Sequence, residues 1–120
     1  MLEYDNISCT RGFHVYRDIW NPIEGEILDT KRENNNPMDK YAIAVIKDGV
    51  VVGHVPRKIS KVVAFFLKHG GTLKCIVTGK YRYSEDTDVG GLEIPCIMKF
   101  NAAPRLLEKL TRGPQALTVT

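Results

Sequence analysis

Two short apolar runs joined by Asp48-Gly49 constrain this chain more than any other feature. Residues 41–46 read YAIAVI and residues 50–55 read VVVGHV. Asp-Gly between such runs favours a two-residue β-turn, because both turn positions need a positive φ. The pattern therefore predicts a β-hairpin near the middle of the sequence.

The residues that follow the hairpin predict a helix over 57–68. Pro56 suits the first turn of a helix, where its missing amide hydrogen costs nothing. Gly70-Gly71 marks the end of the pattern. Apolar residues recur between these points at the spacing of one helical face, at Ile59, Val62, Val63, Phe66 and Leu67.

The remaining patterns indicate a small fold that is mostly β. Residues 1–8 form a polar lead-in, and residues 84–91 form an acidic loop. Pro95 in the last predicted strand indicates an edge strand or a bulge. Five or six strands with one helix after the fourth favour a small α+β or barrel fold. We predict further strands over 11–18, 26–32, 72–78, 80–83 and 92–100, and a short helix over 104–110.

Composition excludes several classes of protein. At 120 residues, with 43% hydrophobic and 26% charged side chains, the chain is one domain long. Its net charge of +3 is too small to indicate a nucleic-acid partner by itself. Three cysteines without a CxxC pair predict neither a disulfide framework nor a zinc site, and Cys75 and Cys96 lie in apolar runs typical of buried thiols. We expect an intracellular protein with no membrane span.

No catalytic motif is visible. His14, His54 and His69 have neither metal-ligand nor triad spacing. Glu33 and Asp39 could exchange protons, but carboxylates that flank a loop are more typical of solvated or capping groups. We therefore predict no enzyme, no metal and no cofactor, although a site built from distant residues leaves no local pattern.

A longer pattern around the hairpin resembles a known family. Residues 32–45 read RENNNPMDKYAIAV, and residues 52–56 read VGHVP after the Asp48-Gly49 turn. This is similar to the HIRAN pattern, in which E-x-x-N-P-x-D-x-x-A-I-x-V precedes G-[HY]-[VL]-P. The resemblance spans residues 11–100. It implies a single domain, an OB- or SH3-like β-barrel of about six strands with one main helix after the fourth strand and a short C-terminal helix.

The resemblance also implies a function. The best-known HIRAN domain belongs to a fork-remodelling ATPase and captures the 3′-hydroxyl end of single-stranded DNA, which implies a role in DNA repair or replication-fork processing. Other members occur alone or fused to helicase or nuclease domains. By similarity we expect a nuclear DNA-binding module in this chain. Asp39 matches the aspartate that reads the terminal hydroxyl, and a carboxylate there would accept a hydrogen bond from a hydroxyl but repel a 3′-phosphate. Asn36 would fix the loop or contact a nucleotide.

Other matched positions bring basic and stacking residues. His54 and Arg57 match phosphate-contacting positions, and Lys58 and Arg17 extend the basic surface. In the family, aromatic side chains stack on the DNA bases, and none of the matching positions in this sequence is aromatic. They are occupied by Arg17, Met38 and Leu92, with Tyr16 and Trp20 close to the first of them.

Each of these residues also has a structural interpretation. Asp39 after Pro37 could close an Asx-turn, His54 could be a half-buried histidine bonded to backbone, and Arg57 and Lys58 could be solvated residues of a first helical turn. Loss of the aromatic clamp favours an alternative function, a module that binds a protein partner on the same barrel. An apolar patch would support that alternative. Its expected members are Trp20, Met38 and Leu92. A hydrolase would need a metal cluster that the sequence does not contain.

Overall fold

A computed structural model describes residues 2–83 and 91–112. The first half contains β1 (Leu2–Arg11), α1 (Phe13–Tyr16), β2 (Ile27–Arg32), β3 (Ile43–Lys47) and β4 (Val50–His54). The second half contains α2 (Arg57–Lys68), β5 (Thr72–Val77), β6 (Arg82–Tyr83), β7 (Leu92–Ala102) and α3 (Pro104–Arg112).

Six of the described strands close into an antiparallel barrel. Their order is β1-β4-β3-β2-β5-β7, and β7 pairs again with β1. The short strand β6 pairs with the start of β7, where Arg82 lies opposite Glu93. The prediction of a mostly-β barrel of about six strands, with its main helix after the fourth and a short helix at the C-terminal end, is confirmed.

The hairpin and the helix after it form as the sequence predicts. Asp48 and Gly49 have φ values of 51° and 81°, as a two-residue turn requires. The helix α2 begins at Arg57, directly after Pro56, and ends at Lys68. Gly70, with φ 98°, turns the chain into β5.

The predicted strand over residues 11–18 is wrong. Strand β1 ends at Arg11, Gly12 takes a φ of 84°, and Phe13–Tyr16 forms one helical turn. The inward residues explain the difference. Phe13 and Trp20 are buried and Tyr16 is half-buried, a three-to-four residue spacing that fits a helix, whereas Val15 points to solvent.

The predicted polar lead-in is also wrong for the residues that the structure describes. From Leu2 onward they belong to β1, which pairs with β7 from Leu2–Ala102 to Arg11–Glu93. The inward face of this strand carries polar or small residues as well as Tyr4. An alternating apolar pattern, the usual sequence signal of a strand, is therefore missing.

Pro95 lies neither at an edge nor at a bulge. Strand β7 pairs with β1 on one side and with β5 and β6 on the other. The Pro95 carbonyl accepts a hydrogen bond of 3.0 Å from the Thr78 amide, just beyond the end of β5. The amide and carbonyl of a strand residue point to the same side. The nitrogen of Pro95, which has no hydrogen to donate, therefore faces the gap between β5 and β6, where no strand residue needs that hydrogen bond. The acidic-loop prediction for residues 84–91 falls, except for Gly91, outside the described residues.

The barrel interior is apolar and joins directly to α2. Phe66 from α2 meets Phe100 from β7 edge-on, with ring centroids 5.4 Å apart. Cys75 and Cys96 are fully buried free thiols, as predicted. A fully buried aromatic or branched aliphatic side chain contributes about 1.5–3 kcal/mol. Because Ile59, Val63 and Phe66 all belong to this interior, the packing holds α2 against the barrel.

Candidate functional site

A groove of about 460 Å³ opens where the loop between β2 and β3 meets the junction of β4 and α2. It contains the residues that the sequence analysis drew from the loop motif and from the helix start. The lining residues are Arg11, Asn36, Met38, Asp39, Ala42, His54, Val55, Pro56, Arg57 and Lys58.

Asn36 fixes the loop that forms one wall of the groove. Its Oδ1 accepts hydrogen bonds from the amides of Met38 (2.9 Å) and Asp39 (3.3 Å), and its Nδ2 donates to Glu33 Oε1 (3.1 Å). These bonds form an Asx-type turn after Pro37. Of the two roles considered for Asn36, fixing the loop is the one that the geometry supports.

Asp39 is held at the groove by both of its carboxylate oxygens. Oδ1 accepts a bond of 2.9 Å from the Tyr41 amide, and Oδ2 accepts one of 2.9 Å from the Ser60 hydroxyl. The same hydroxyl lies 2.9 Å from the carbonyl oxygen of Arg57. An ionised carboxylate has about four acceptor positions, so Asp39 is oriented by the protein and keeps acceptor capacity for a ligand.

His54 is half-buried and contacts a side chain rather than backbone. Its Nε2 lies 2.7 Å from Glu33 Oε1. Burial on its own raises the pKa of Glu33, but hydrogen bonds from Asn36 and His54, with the charge of His54, outweigh it and lower that pKa. Tyr16 lies behind this pair, its ring centroid 6.3 Å from that of His54. Burial and the Glu33 charge raise the pKa of Tyr16.

Four residues considered for stacking, Tyr16, Arg17, Trp20 and Leu92, do not line the groove. Leu92 is a core residue with 6% exposure, and Trp20 has 2% exposure and donates its Nε1–H to Glu26. Neither can stack on a ligand without unpacking the barrel. Arg17 lies exposed at the end of α1. Met38 does line the groove, and it is 75% exposed. The expected apolar patch of Trp20, Met38 and Leu92 is therefore absent.

Residues that the sequence analysis missed complete the site. Arg11, at the end of β1, lines the groove because it pairs with His54 across the point where β1 meets β4. Its Nε lies 3.7 Å from Glu93 Oε2. Ser60 orients Asp39 from the first turn of α2. No local pattern marks Arg11, whereas Ser60 carried a usable signal, since it lies one helical turn after Arg57.

The groove combines a cationic rim with an apolar floor. Arg57 and Lys58 are exposed, and neither forms an ion pair with any residue that the structure describes. Ala42, Val55 and Pro56 are buried and form the floor. Such a groove suits an anionic ligand that also carries an apolar surface.

Metal and membrane features are not found in the described parts of the chain. Among residues 2–83 and 91–112, no three His, Cys, Asp or Glu side chains come close enough together to bind a metal ion. Of the helices in those ranges, none has the length and apolarity needed to cross a membrane.

The family model for the HIRAN domain matches residues 10–90. The chain belongs to the HIRAN domain family. The matched residues include the loop, the hairpin and the start of α2, and therefore most of the groove. No curated protein sequence matches the chain.

Solved structures with the same fold include other HIRAN domains. The crystal structure of the human HLTF HIRAN domain has a TM-score of 0.71 at 17% identity, covering 98% of this chain and 92% of that one. The NMR structure of the HLTF HIRAN domain in its DNA-bound conformation has a TM-score of 0.60 at 18% identity, with coverages of 96% and 90%. A Lactobacillus plantarum protein has a TM-score of 0.57 at 19% identity, with coverages of 83% and 100%.

Proposed function

We propose that this HIRAN domain binds single-stranded DNA at its 3′-hydroxyl end, in the groove between the β2–β3 loop and the start of α2. The observation that carries the proposal is the position of Asp39, a carboxylate fixed by Tyr41 and Ser60 inside a groove whose rim is otherwise cationic. The DNA-bound conformation of another HIRAN domain, that of HLTF, supports the ligand class.

The charges assign separate roles to the two sides of the groove. Arg57 and Lys58 neutralise phosphates, with His54 beside them, because charge-assisted hydrogen bonds to phosphate are the strongest polar contacts available there. Asp39 accepts a hydrogen bond from a terminal hydroxyl and repels a terminal phosphate. Binding thus needs backbone phosphates close to the 3′ end, and a phosphate on the 3′ end itself weakens it.

Base contacts in this groove are weaker than a clamp of aromatic rings. Met38 is exposed on the groove wall and packs as a polarizable apolar side chain. Tyr16 has its ring centroid 6.3 Å from that of His54 but does not itself line the groove. Ring stacking contributes about 1–3 kcal/mol per base, so we expect moderate affinity that depends strongly on salt. The proposed context is repair or fork processing in the nucleus, beside a helicase or nuclease domain.

Replacement of Asp39 tests the proposed reading of the end. Asp39→Asn keeps the shape but removes the charge, so preference for a 3′-hydroxyl over a 3′-phosphate oligothymidine should fall roughly tenfold. Fluorescence anisotropy with both oligonucleotides measures this. Ser60→Ala is the matched control, since it removes one hydrogen bond to Asp39 and leaves the carboxylate charged. An unchanged preference in Asp39→Asn would contradict the proposal.

Replacement of Arg57 tests the phosphate contact. Arg57→Ala should weaken binding of both ends about equally, because a phosphate next to the terminus is present in each. The slope of log K against log salt should become less negative by about 0.7. A loss confined to one of the two ends would assign Arg57 to end reading instead.

The alternative of a protein-binding module has less support. An apolar patch would favour it, and two of the three expected members, Trp20 and Leu92, are buried. Failure of any single-stranded oligonucleotide to bind, even at low salt, would bring that alternative forward.

A further inference from the structure

A second cavity of about 450 Å³ lies beside the groove, on the other side of the loop residues 37–39. We refer to it as the basic pocket. Three of its lining residues, Met38, Asp39 and Arg57, also line the groove. The two cavities are therefore neighbours that share a wall. The basic pocket is lined by Pro37, Met38, Asp39, Lys40, Tyr41, Arg57, Ser60 and Lys61.

Cations dominate the basic pocket. Lys40, Arg57 and Lys61 are exposed, and within the described ranges none of them forms an ion pair with a carboxylate. Asp39, the one acidic residue in the lining, already accepts bonds from Ser60 and from the Tyr41 amide. Three like charges around one cavity repel each other, and a bound anion relieves that repulsion.

Tyr41 determines which part of an anionic ligand fits. The Nζ atoms of Lys40 and Lys61 lie 5.1 Å and 5.7 Å from the centroid of its ring. These cation–π contacts hold both ammonium groups toward the cavity and use the ring that a base would need for stacking. The basic pocket is thus suited to a phosphate rather than to a base.

We propose that the basic pocket binds a backbone phosphate of the same DNA strand, on the 5′ side of the two nucleotides that lie in the groove with the 3′ end. The inference rests on the proposed function and extends it, because it gives the strand a direction: from the groove, past Met38 and Arg57, to Lys40 and Lys61. The shared wall makes this path continuous. Arg57 lies between the two cavities and contacts the phosphates of both.

The test compares a thymidine dinucleotide with an octanucleotide, both with 3′-hydroxyl ends, by fluorescence anisotropy. The short strand fills the groove, and the long one also reaches the basic pocket. We expect the wild type to bind the longer strand more tightly. In Lys40→Gln/Lys61→Gln the octanucleotide should lose roughly fivefold in affinity near 0.1 M salt, and its salt slope should become less negative by about 0.7, for one phosphate contact. Dinucleotide affinity should stay within about twofold.

Arg105→Gln/Lys109→Gln is the matched control. It removes the same charge from the exposed face of α3, and neither residue lines either cavity. An equal loss in this control would assign the effect to net charge and overturn the inference, as would an unchanged octanucleotide affinity in the Lys40/Lys61 variant. Competition by polyglutamate as effective as that by the octanucleotide would also overturn it. If neither strand binds the wild type, the proposed function itself fails, which is a distinguishable result.

Discussion

Glu26 connects the segment between α1 and β2 to strand β3. Its carboxylate accepts hydrogen bonds from the Trp20 indole (2.8 Å), the Ile23 amide (3.0 Å) and Lys47 on β3 (2.7 Å). Trp20 in turn packs edge-on against Phe13 at the start of α1, with ring centroids 5.9 Å apart. Glu26 therefore anchors the segment between α1 and β2 on the barrel.

The contribution of Glu26 to stability should depend on pH. Burial on its own raises its pKa, but the bonds from Lys47, Ile23 and Trp20 outweigh it and lower the pKa below the usual 4.5. A carboxyl with a lowered folded-state pKa stabilises the fold above its unfolded pKa and loses this contribution as pH falls through the folded value. Glu26→Gln should cost about 1–3 kcal/mol in urea denaturation near pH 7, and the cost should shrink as the pH falls below 4.5 and through the lowered folded-state pKa. The exposed neighbour Glu24→Gln should leave stability unchanged over this range of pH.

The three thiols should be unreactive in the folded protein. Cys9, Cys75 and Cys96 are buried, and burial, with the charge of Glu93 and a contact of 3.3 Å to it, raises the pKa of Cys9 to about 12. Because a reagent must reach the sulfur and all three side chains are buried, an aromatic disulfide reagent near pH 8 should label none of them until denaturant is added; for Cys9 the raised pKa also keeps the reactive thiolate scarce. Rapid labelling of native protein would contradict the buried positions.

Residues close in sequence were predicted better than residues brought together by the barrel. Asn36 and Asp39 bond within their own loop, so the sequence suggested both the loop-fixing role of Asn36 and the Asx-turn of Asp39. Leu92 was assigned to the site by alignment, but its burial depends on packing between β7 and the rest of the barrel. Arg11 was missed because only the pairing of β1 with β4 brings it to the groove.

Among the neighbouring strands of the barrel, β1 and β4 share the fewest paired residues. One residue pair, Arg11–His54, joins these two strands. Gly53 makes the close approach possible, since a Cβ atom there would lie 2.3 Å from Thr10 Cγ2 and 2.9 Å from the Arg11 carbonyl oxygen. The position of His54 in the groove follows from that close contact.

Gly53→Ala should therefore separate β1 from β4. We expect a loss of about 2–4 kcal/mol in unfolding free energy, together with weaker oligonucleotide binding because Arg11 and His54 move apart. Adding Thr10→Ser removes the methyl contact but not the carbonyl contact, so it should restore only part of the stability. Full stability in Gly53→Ala alone would show that the junction can widen freely.

The elements themselves were predictable where the local signal agreed with the final packing. The β3–β4 hairpin and α2 have strong turn and helix signals. The helix has the predicted bounds, and the strands of the hairpin shift by one or two residues from the predicted 41–46 and 50–55. Residues 13–16 are too few for a helical period to stand out, and they were interpreted as strand. β1 was missed because its inward face is largely polar, so its place in the barrel depends on β7 and not on its own pattern.

The whole molecule depends on the pairing of β1 with β7. Removal of residues 2–8 should abolish cooperative unfolding, because β7 would lose most of its partner along one side and expose apolar interior. Urea titration followed by circular dichroism tests this. Asp5→Thr/Ile7→Thr is the control, since both residues face solvent and their replacement leaves the backbone pairing intact. A cooperative transition in the shortened chain would mean that β1 is dispensable.

The same pairing sets an order of events during synthesis. The partners Leu2 and Ala102 lie at opposite ends of the described chain, so β1 leaves the ribosome long before β7 exists. The hairpin and α2 can form early from local contacts. The backbone of β1 stays largely unpaired until β7 has been synthesised. Such non-local closure is slow, typically milliseconds to seconds. A nascent chain should thus become protease-resistant only after residue 102 has emerged.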